Sequence, residues 1–472
     1  MNKKIIENFL YQGLYQVTII ILPIITIPIV SHALGVEGVG IYNYITSIVS
    51  YFILFAGLGL ATYGIREIAT VKESKESRSK KFWELEFFNI IIVCIAVIIY
   101  TLFLLIVDNK VYYVLSGISL LATLFDISWF YYGIQDFKHI SLINIGIKII
   151  SFLSILIFIN QKDDLVIYFL IQSLSILISN ISLWIFLKEK VIWIKPTLSG
   201  SLSHLKPALN FFIGKISITL YTTMNKTLLG IFVTTAAVGL YSNSLQLITM
   251  IVVLIGVLDT VLMPYMTSLF TNEEEDSLIK LMEKTIDLQL FFSIPLMFGI
   301  ILTNSKIIPW FYGEEFTYLN KTIPILAPLI VIMPLGISLV RQFLMPKNNI
   351  KQFNISVIIA AFVSVVINLL LLPSIGIWGA IIATLISEFT VTAVRIKDVL
   401  KNSNFKFKLR NISAYFFSGL LMLGITYILT KEMTASITTT LIQVVIGIII
   451  YMLSTYILKK NILFNLKKEG II

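Results

Sequence analysis

Apolar residues run in stretches of about twenty, separated by short polar breaks, from one end of the chain to the other. At about 1.5 Å per residue, a run of that length crosses the roughly 30 Å hydrocarbon core of a bilayer as an α-helix. The alternating segments of about ten residues that mark an outer-membrane barrel are absent. Reading the runs between polar breaks predicts fourteen spans, at about 8–31, 38–62, 84–107, 112–132, 140–160, 165–187, 208–232, 238–268, 285–304, 323–346, 352–373, 375–398, 411–430 and 436–458. The expected fold class is an all-α polytopic membrane protein. The apolar run after Lys3-Lys4 is expected to be the first span, because it lacks the short apolar region and small-residue cleavage site of a secretory signal.

One short phrase occurs twice in this pattern. VGIYN (39–43) returns as VGLYSN (238–243), each after a Leu-Gly pair, Leu34-Gly35 and Leu229-Gly230. Six predicted crossings separate the copies, and an even number of crossings points both the same way through the bilayer. That predicts two parallel six-helix lobes, 1–200 and 201–400, followed by helices 13 and 14 and a tail over 401–472. Such architectures hold their ligand between lobes near the midplane and move it by rocking.

Composition sharpens the class. Of the 472 residues 57% are hydrophobic and 13% charged, against about a quarter charged in soluble domains. With the amino end placed inside, and Arg395 and Lys397 at the inner end of span 12 counted with the inner segments, those segments hold 27 Lys/Arg and the outer loops five, leaving Lys148, Lys215, Lys226 and Arg341 within spans. This is a positive-inside pattern with both termini cytoplasmic. The net charge of +10 follows from it and implies attraction to anionic membrane lipids, not to nucleic acid. The one cysteine, Cys94, cannot make an intrachain disulfide.

Several stretches carry a resemblance: YQGLY (11–15), SHALGVEGVGIY (31–42), GLGLATYGIREIA (57–69), WFYYGIQ (129–135), and LYTTMNKTLLG (220–230) leading into VGLY (238–241). In that order the sequence resembles the polysaccharide flippases of the multidrug/oligosaccharidyl-lipid/polysaccharide exporter superfamily, over essentially the whole chain. The resemblance implies fourteen spans in two lobes. It also implies transfer of undecaprenyl-pyrophosphate-linked oligosaccharide repeat units from the inner to the outer face of the cytoplasmic membrane, for capsule, O-antigen or related polymers. A polysaccharide polymerase and glycosyltransferases would be partners, and no cofactor is implied. Relatives commonly carry an acid where this chain has Asn225, which puts ion coupling through that position in doubt.

A charge at the centre of a spanning helix costs roughly 2.5–3.5 kcal/mol on insertion scales. In span 7, Lys215, Thr219, Thr222 and Lys226 fall at i, i+4, i+7 and i+11, on one helical face. This predicts a cationic cavity wall for pyrophosphate and sugar hydroxyls; the alternative is that Lys226 snorkels and Lys215 pairs with an acid. Span 5 repeats the pattern with Ser141, Asn144, Lys148 and Ser151, Lys148 being a second contact or an ion pair with Asp126. Arg341 contacts the same anion or snorkels. Gln12 and Gln16 in span 1, Asn43 in span 2, and Asn243 in span 8 either line the cavity or bond helix to helix. Among the acids, Asp126, Asp259 and Glu388 are expected to lie deepest, as coupling groups or as charge balance for the lysines. Arg66-Glu67 reads as a gate or an interfacial anchor. Prolines in spans 1, 8 and 10 are expected to loosen those helices, and Trp129–Tyr132 and Trp310–Tyr312 to sit in interfacial belts.

Two other classes are weighed. A membrane glycosyltransferase or polymerase would present catalytic groups on a sizeable outer loop, yet these loops are short and no P-loop, metal-spaced cluster or nucleophile elbow appears, so no enzyme is expected. A drug or toxin exporter of the same fold would be expected to line its cavity with acids or aromatics.

Overall fold

The computed structural model describes residues 3–462, and all regular structure among them is helical. The end of the predicted tail, 463–472, lies outside the described residues. The chain divides into two compact units, Met1–Thr227 and Leu228–Ile472. The first contains α1 (Lys3–Gly57), α2 (Leu60–Thr70), α3 (Lys75–Ile106), α4 (Lys110–Leu121), α5 (Ser128–Gly133), α6 (Phe137–Phe158), α7 (Leu165–Ile185), α8 (Leu198–Leu202) and most of α9 (Leu205–Phe232). The second contains α10 (Thr235–Thr271), α11 (Glu275–Phe311), α12 (Leu319–Leu326), α13 (Leu329–Leu339), α14 (Ile350–Ile375), α15 (Ile377–Asn402), α16 (Leu409–Thr430) and α17 (Ile437–Ile457).

Twelve helical stretches among the described residues are long and apolar enough to cross a membrane. The first of them, Leu10–Thr70, contains two predicted spans, because Gly35, at φ 66° and ψ −176°, breaks α1. Only glycine reaches that region without strain, so the Leu34-Gly35 pair marks a turn in the chain path. The helix α9, with 28 residues, adds one more segment of spanning length. In the second copy of the phrase the turn is made differently. Gly230 stays inside α9, and Thr234 caps α10 by accepting the Ala237 N–H at 3.1 Å. Pro23 and Pro28 do not break the helix they occupy, whereas Pro328 stands between α12 and α13.

In the first unit, the GLGLATYGIREIA stretch forms the end of α1, a tight turn and α2. Gly59 adopts φ 76°, and a Cβ there would lie 2.6 Å from the Ala208 carbonyl oxygen and 2.8 Å from the Phe212 nitrogen. The start of α9 therefore packs backbone to backbone on this turn. The WFYYGIQ stretch forms α5 and packs on α2, with Trp129 over Gly64. Trp129, Phe130 and Tyr131 are fully buried, which corrects the expectation of an interfacial belt. Trp129 and Phe130 pack on Phe82 of α3, with ring centroids 5.5 and 5.1 Å apart, so these rings face protein and not the membrane surface. Tyr312 is likewise buried, donating to the Asn243 carbonyl at 3.1 Å.

The segment between the sixth and seventh predicted spans is strapped to the first unit. Arg78 donates twice to the Lys190 carbonyl, at 3.2 and 2.7 Å, and Trp83 donates to the Ile192 carbonyl at 3.0 Å. Lys190 pairs with Asp136 at 2.6 Å, and His204 meets the Tyr63 hydroxyl at 2.7 Å. Burial pushes the Asp136 carboxyl up, but bonds from Lys190 and His139 outweigh it and hold the group below its ordinary value. Burial, followed by the Lys81 charge, holds His204 below the usual imidazole range. In the second unit, α16 and α17 pack through Tyr415, Met422 and Tyr451 onto α11, so the last two spans belong to that core.

The close backbone approach at Gly59 predicts that Gly59→Ala lowers thermal stability in detergent by about 1–3 kcal/mol, combining left-handed strain with the Ala208 clash. A melting curve matching wild type would contradict that packing.

Candidate anion site on α9

Within the first unit, α9 runs antiparallel to the second half of α1. The pairing is fixed at four levels, with Ala208 and Phe212 against Gly59, Lys215 against Gly57, Lys226 against Asn43, and Thr227 against Ser47 and Tyr51. Ser47 and Thr227 hydroxyls lie 2.8 Å apart, and Tyr51 reaches Thr227 at 3.1 Å. Such hydroxyl contacts hold membrane helices in register, since lipid offers no competing partner.

The lysines sit along this seam. Lys226 donates to Asn43 Oδ1 at 2.9 Å, and the Asn43 amide is oriented by its own bond to the Val39 carbonyl, also 2.9 Å. An ammonium has three donors, and Asn43 takes one. Lys215 is exposed, with Nζ 4.0 Å from the position a Cβ on Gly57 would take. That is ordinary contact distance, so the ammonium stands beside α1 at this level. Thr219 is half-buried and Thr222 exposed, its hydroxyl donating back to the Ile218 carbonyl at 2.9 Å. Among the described residues, no carboxylate lies within ion-pair distance of Lys215, Lys226 or Lys148. The pairings that sequence allowed, Lys215 with an acid and Lys148 with Asp126, are not formed.

Lys148 is exposed on α6, between Ser141 and Ile155 of the same helical face, both buried. That places it on the inward stripe of α6. Asn144 instead bonds Ser179 of α7, which makes it a helix-to-helix contact. Asp126 follows a 3₁₀ turn that ends α4, and its carboxylate accepts the Ser128 N–H at 3.0 Å. Gln12 is half-buried, with Oε1 buried and without a hydrogen-bond partner, and Gln16 is exposed. Arg66 is exposed at the end of α2, and Glu67 pairs with Lys81 of α3 at 3.4 Å.

The remaining candidates lie in the second unit. Asn243 is buried and donates to Gly239 of its own helix at 3.2 Å. Arg341 lies in a π turn, Val340–Leu344, where its guanidinium donates to Thr260 of α10. Asp259 accepts hydrogen bonds from Ser338 and Gln342. Glu388 shares a face of α15 with Arg395, seven residues on. Arg395 donates to Ser356 at 3.1 Å and to the Gly336 carbonyl at 3.0 Å. Structure thus brings Lys226 to Asn43 and Lys215 to Gly57 along one seam, with Thr219 and Thr222 between them on the same face of α9, and spreads the other candidates elsewhere.

Sequence reading missed three buried charged residues, Glu86, Asp287 and Arg395, of which Asp287 of α11 accepts from Asn411 at 2.9 Å and Tyr415 at 3.1 Å. Arg395, at the inner end of the twelfth predicted span, is 7% exposed. Glu86 of α3 is 1% exposed, beside Asn89 at 3.4 Å, with Oε2 lacking a hydrogen-bond partner. Its signal was available in the spacing, because Phe82, Leu85, Glu86, Asn89 and Val93 make one buried stripe.

All-helical structure with twelve stretches long and apolar enough to cross a membrane defines the class among the described residues, an all-α polytopic membrane protein. A solved structure titled "Lipid II flippase MurJ, inward closed conformation" shares the fold, with a TM-score of 0.74 at 16% identity, covering 96% of this chain and 98% of that one. A superfamily transporter from Pyrococcus furiosus aligns with a TM-score of 0.52 at 16% identity, over 86% of this chain and 93% of its own. The chain belongs to the polysaccharide biosynthesis protein family, whose model matches residues 5–270. It is 26% identical over 411 residues to a protein of Escherichia coli (strain K12) named "Putative O-antigen transporter", covering 84% of this chain and 97% of that one. It is also 23% identical over 259 residues to the Haloferax volcanii protein named "Probable low-salt glycan biosynthesis flippase Agl15", covering 55% and 54% of the two chains.

The Asn43 contact predicts a stability split. Asn43→Leu removes a hydrogen bond to a charged group and lowers unfolding stability by about 1.5–3 kcal/mol. Asn43→Asp supplies a counter-charge and leaves stability equal or higher. Thermal unfolding in detergent checks the order, and equal losses for both would contradict the placement of the Lys226 ammonium.

Proposed function

We propose that this protein is a flippase for undecaprenyl-pyrophosphate-linked oligosaccharide repeat units, moving them from the inner to the outer leaflet of the cytoplasmic membrane for O-antigen-type or capsular polymers. One observation carries the reading: Lys215 and Lys226 share the 28-residue helix α9 and Lys148 sits on the spanning-length helix α6, and among the described residues none lies within ion-pair distance of a carboxylate. An ammonium in a low-dielectric setting without a counter-ion attracts an anion, and a lipid-linked pyrophosphate supplies one that must itself leave water to cross. Family membership and relatives named as an O-antigen transporter and a glycan flippase supply the substrate class.

In this reading Lys226 and Lys215 hold phosphate oxygens as mobile point charges, with Lys148 as a further contact. Thr219, Thr222, Gln12, Gln16 and Asn43 meet sugar hydroxyls, which need both donors and acceptors. Alternating access moves the head group while the polyprenyl chain stays in lipid. Both termini face the cytoplasm, as the 27-to-5 split of basic residues favours. Arg341, Asn243, Asp259 and Glu388 act in the second unit, the two acids as coupling groups, and Arg66-Glu67 acts as a gate beside the basic segment before α3. Transport without covalent change is the non-enzymatic role that the related transporters suggest. A drug exporter's cationic substrates would be repelled by the same lysines.

Changing Lys215 and Lys226 together to Gln is expected to reduce surface polymer at least tenfold while the protein remains inserted at wild-type level. Immunoblotting of polymer and of membrane fractions checks both, and unchanged polymer would overturn the assignment of the anion to α9.

A further inference from the structure

Three helices of the second unit meet at a buried acid. Asp259 of α10 is 1% exposed, as are Ser338 of α13 and Gln342 of the following π turn. Gln289 of α11 is 3% exposed. The Ser338 Oγ lies 2.8 and 2.9 Å from the two Asp259 carboxylate oxygens and 2.7 Å from Gln289 Oε1. Gln342 Nε2 lies 2.6 Å from Asp259 Oδ1, and its own Oε1 accepts from Thr285 at 2.7 Å. Gln289 Nε2 is buried and has no partner.

Counting protons decides what this arrangement can be. A hydroxyl carries one hydrogen and can give it to one acceptor. Ser338 nevertheless sits at hydrogen-bond distance from an ionised carboxylate and from an amide oxygen, both of which only accept. One of those contacts needs a second hydrogen, and it has two sources. If Asp259 is protonated, its O–H donates to Ser338, and Ser338 donates to Gln289 Oε1. If Asp259 is ionised, the Gln289 amide turns over, so that Nε2 donates to Ser338 and Ser338 donates to the carboxylate. Both patterns use the same heavy-atom positions, because exchanging the amide oxygen and nitrogen leaves the side chain's shape unchanged. Each pattern leaves one Gln289 amide atom without a partner, Nε2 in the first and the oxygen that takes its place in the second. Two near-balanced patterns on one scaffold are what a reversible proton site requires.

We propose that Asp259, Ser338 and Gln289 form a proton-binding site in which loading places one proton from water on an Asp259 oxygen, and release reverses it. The Ser338 hydroxyl swings between Asp259 and Gln289 as this happens. Of the neighbouring groups, the charged one is Arg341, which lies within electrostatic reach of Asp259 from the π turn. α11 presents Thr285 and Gln289, and α10 adds Thr260, all neutral. The π turn aims two successive side chains at one turn of α10, Arg341 at Gly256 and Thr260 and Gln342 at Asp259. Single π turns inside helices recur at functional sites. Loading the proton removes the charge that Gln342 and Arg341 both face, so its effect is delivered to the join of α10 with the end of α13. As a coupling element this site rests on the transport reading above; as a proton site it does not.

Infrared difference spectroscopy on the purified full chain in lipid nanodiscs, stepped between about pH 9 and about pH 5, reads the site directly. Wild type is expected to show the carbonyl band of a buried protonated carboxylic acid on acidification. The band is lost in Asp259→Asn and moves to higher frequency in Ser338→Ala, where the acid loses its acceptor. Unfolding midpoints of both variants confirm that they are folded. A difference spectrum unchanged by folded Asp259→Asn, or a band unmoved by Ser338→Ala, would overturn the proposal. Loss of the band with polymer export intact would leave the proton site standing and remove its part in transport.

Discussion

The proposed function depends on one constraint, that Lys215 and Lys226 of α9 have no carboxylate within ion-pair distance among the described residues. Insertion of such a charge costs roughly 2.5–3.5 kcal/mol. The seam between α1 and α9 reduces that cost for Lys226, through the Asn43 amide oxygen at 2.9 Å. It does not neutralise the charge. The second unit treats its charges in another way, since Arg395 is spent on Ser356 and Gly336 and faces Glu388 along one helix, while Asp259 is enclosed by hydroxyl and amide donors. One unit leaves cations available to an anion, and the other encloses its acids.

Register makes the lysine stripe usable. Hydroxyl contacts from Thr227 to Ser47 and Tyr51, and the backbone contact of Gly59 with Ala208 and Phe212, fix α9 at both ends of its pairing with α1. Between these anchors the face carrying Lys215, Thr219, Thr222 and Lys226 cannot rotate into lipid without breaking one of them. The strapped segment before α9, held by Arg78, Trp83 and Asp136, extends the same fixation to the chain entering the helix.

Much of the fold was legible because its strongest signal is long apolar runs, whose length and number survive any error at their ends. The turn at Gly35 was visible only as half of a repeated phrase, since a positive φ leaves no mark in hydropathy. Trp129–Tyr131 were misplaced for a related reason: aromatic residues near a span end serve equally as belt and as core, and only the packing of α5 on α2 separates the two. The single-face spacing of Lys215 and Lys226 followed from helical geometry alone. The partners of Lys226 did not, because Asn43 lies 183 residues away. Arg395 was hidden at the end of a span, where a charge is ordinarily solvated and its burial depends on neighbouring helices, whereas Glu86 sat in an apolar stripe that the spacing already showed.

The most direct measurement is equilibrium binding of a pyrophosphate-linked lipid oligosaccharide, and of the same glycan on a neutral lipid, to the purified protein and to Lys226→Gln. Uncompensated charge on α9 predicts that wild type prefers the pyrophosphate lipid by at least tenfold and that Lys226→Gln loses most of that preference, about 1.4 kcal/mol or more. Equal affinity of wild type for the two lipids, or a preference untouched by Lys226→Gln, would contradict it.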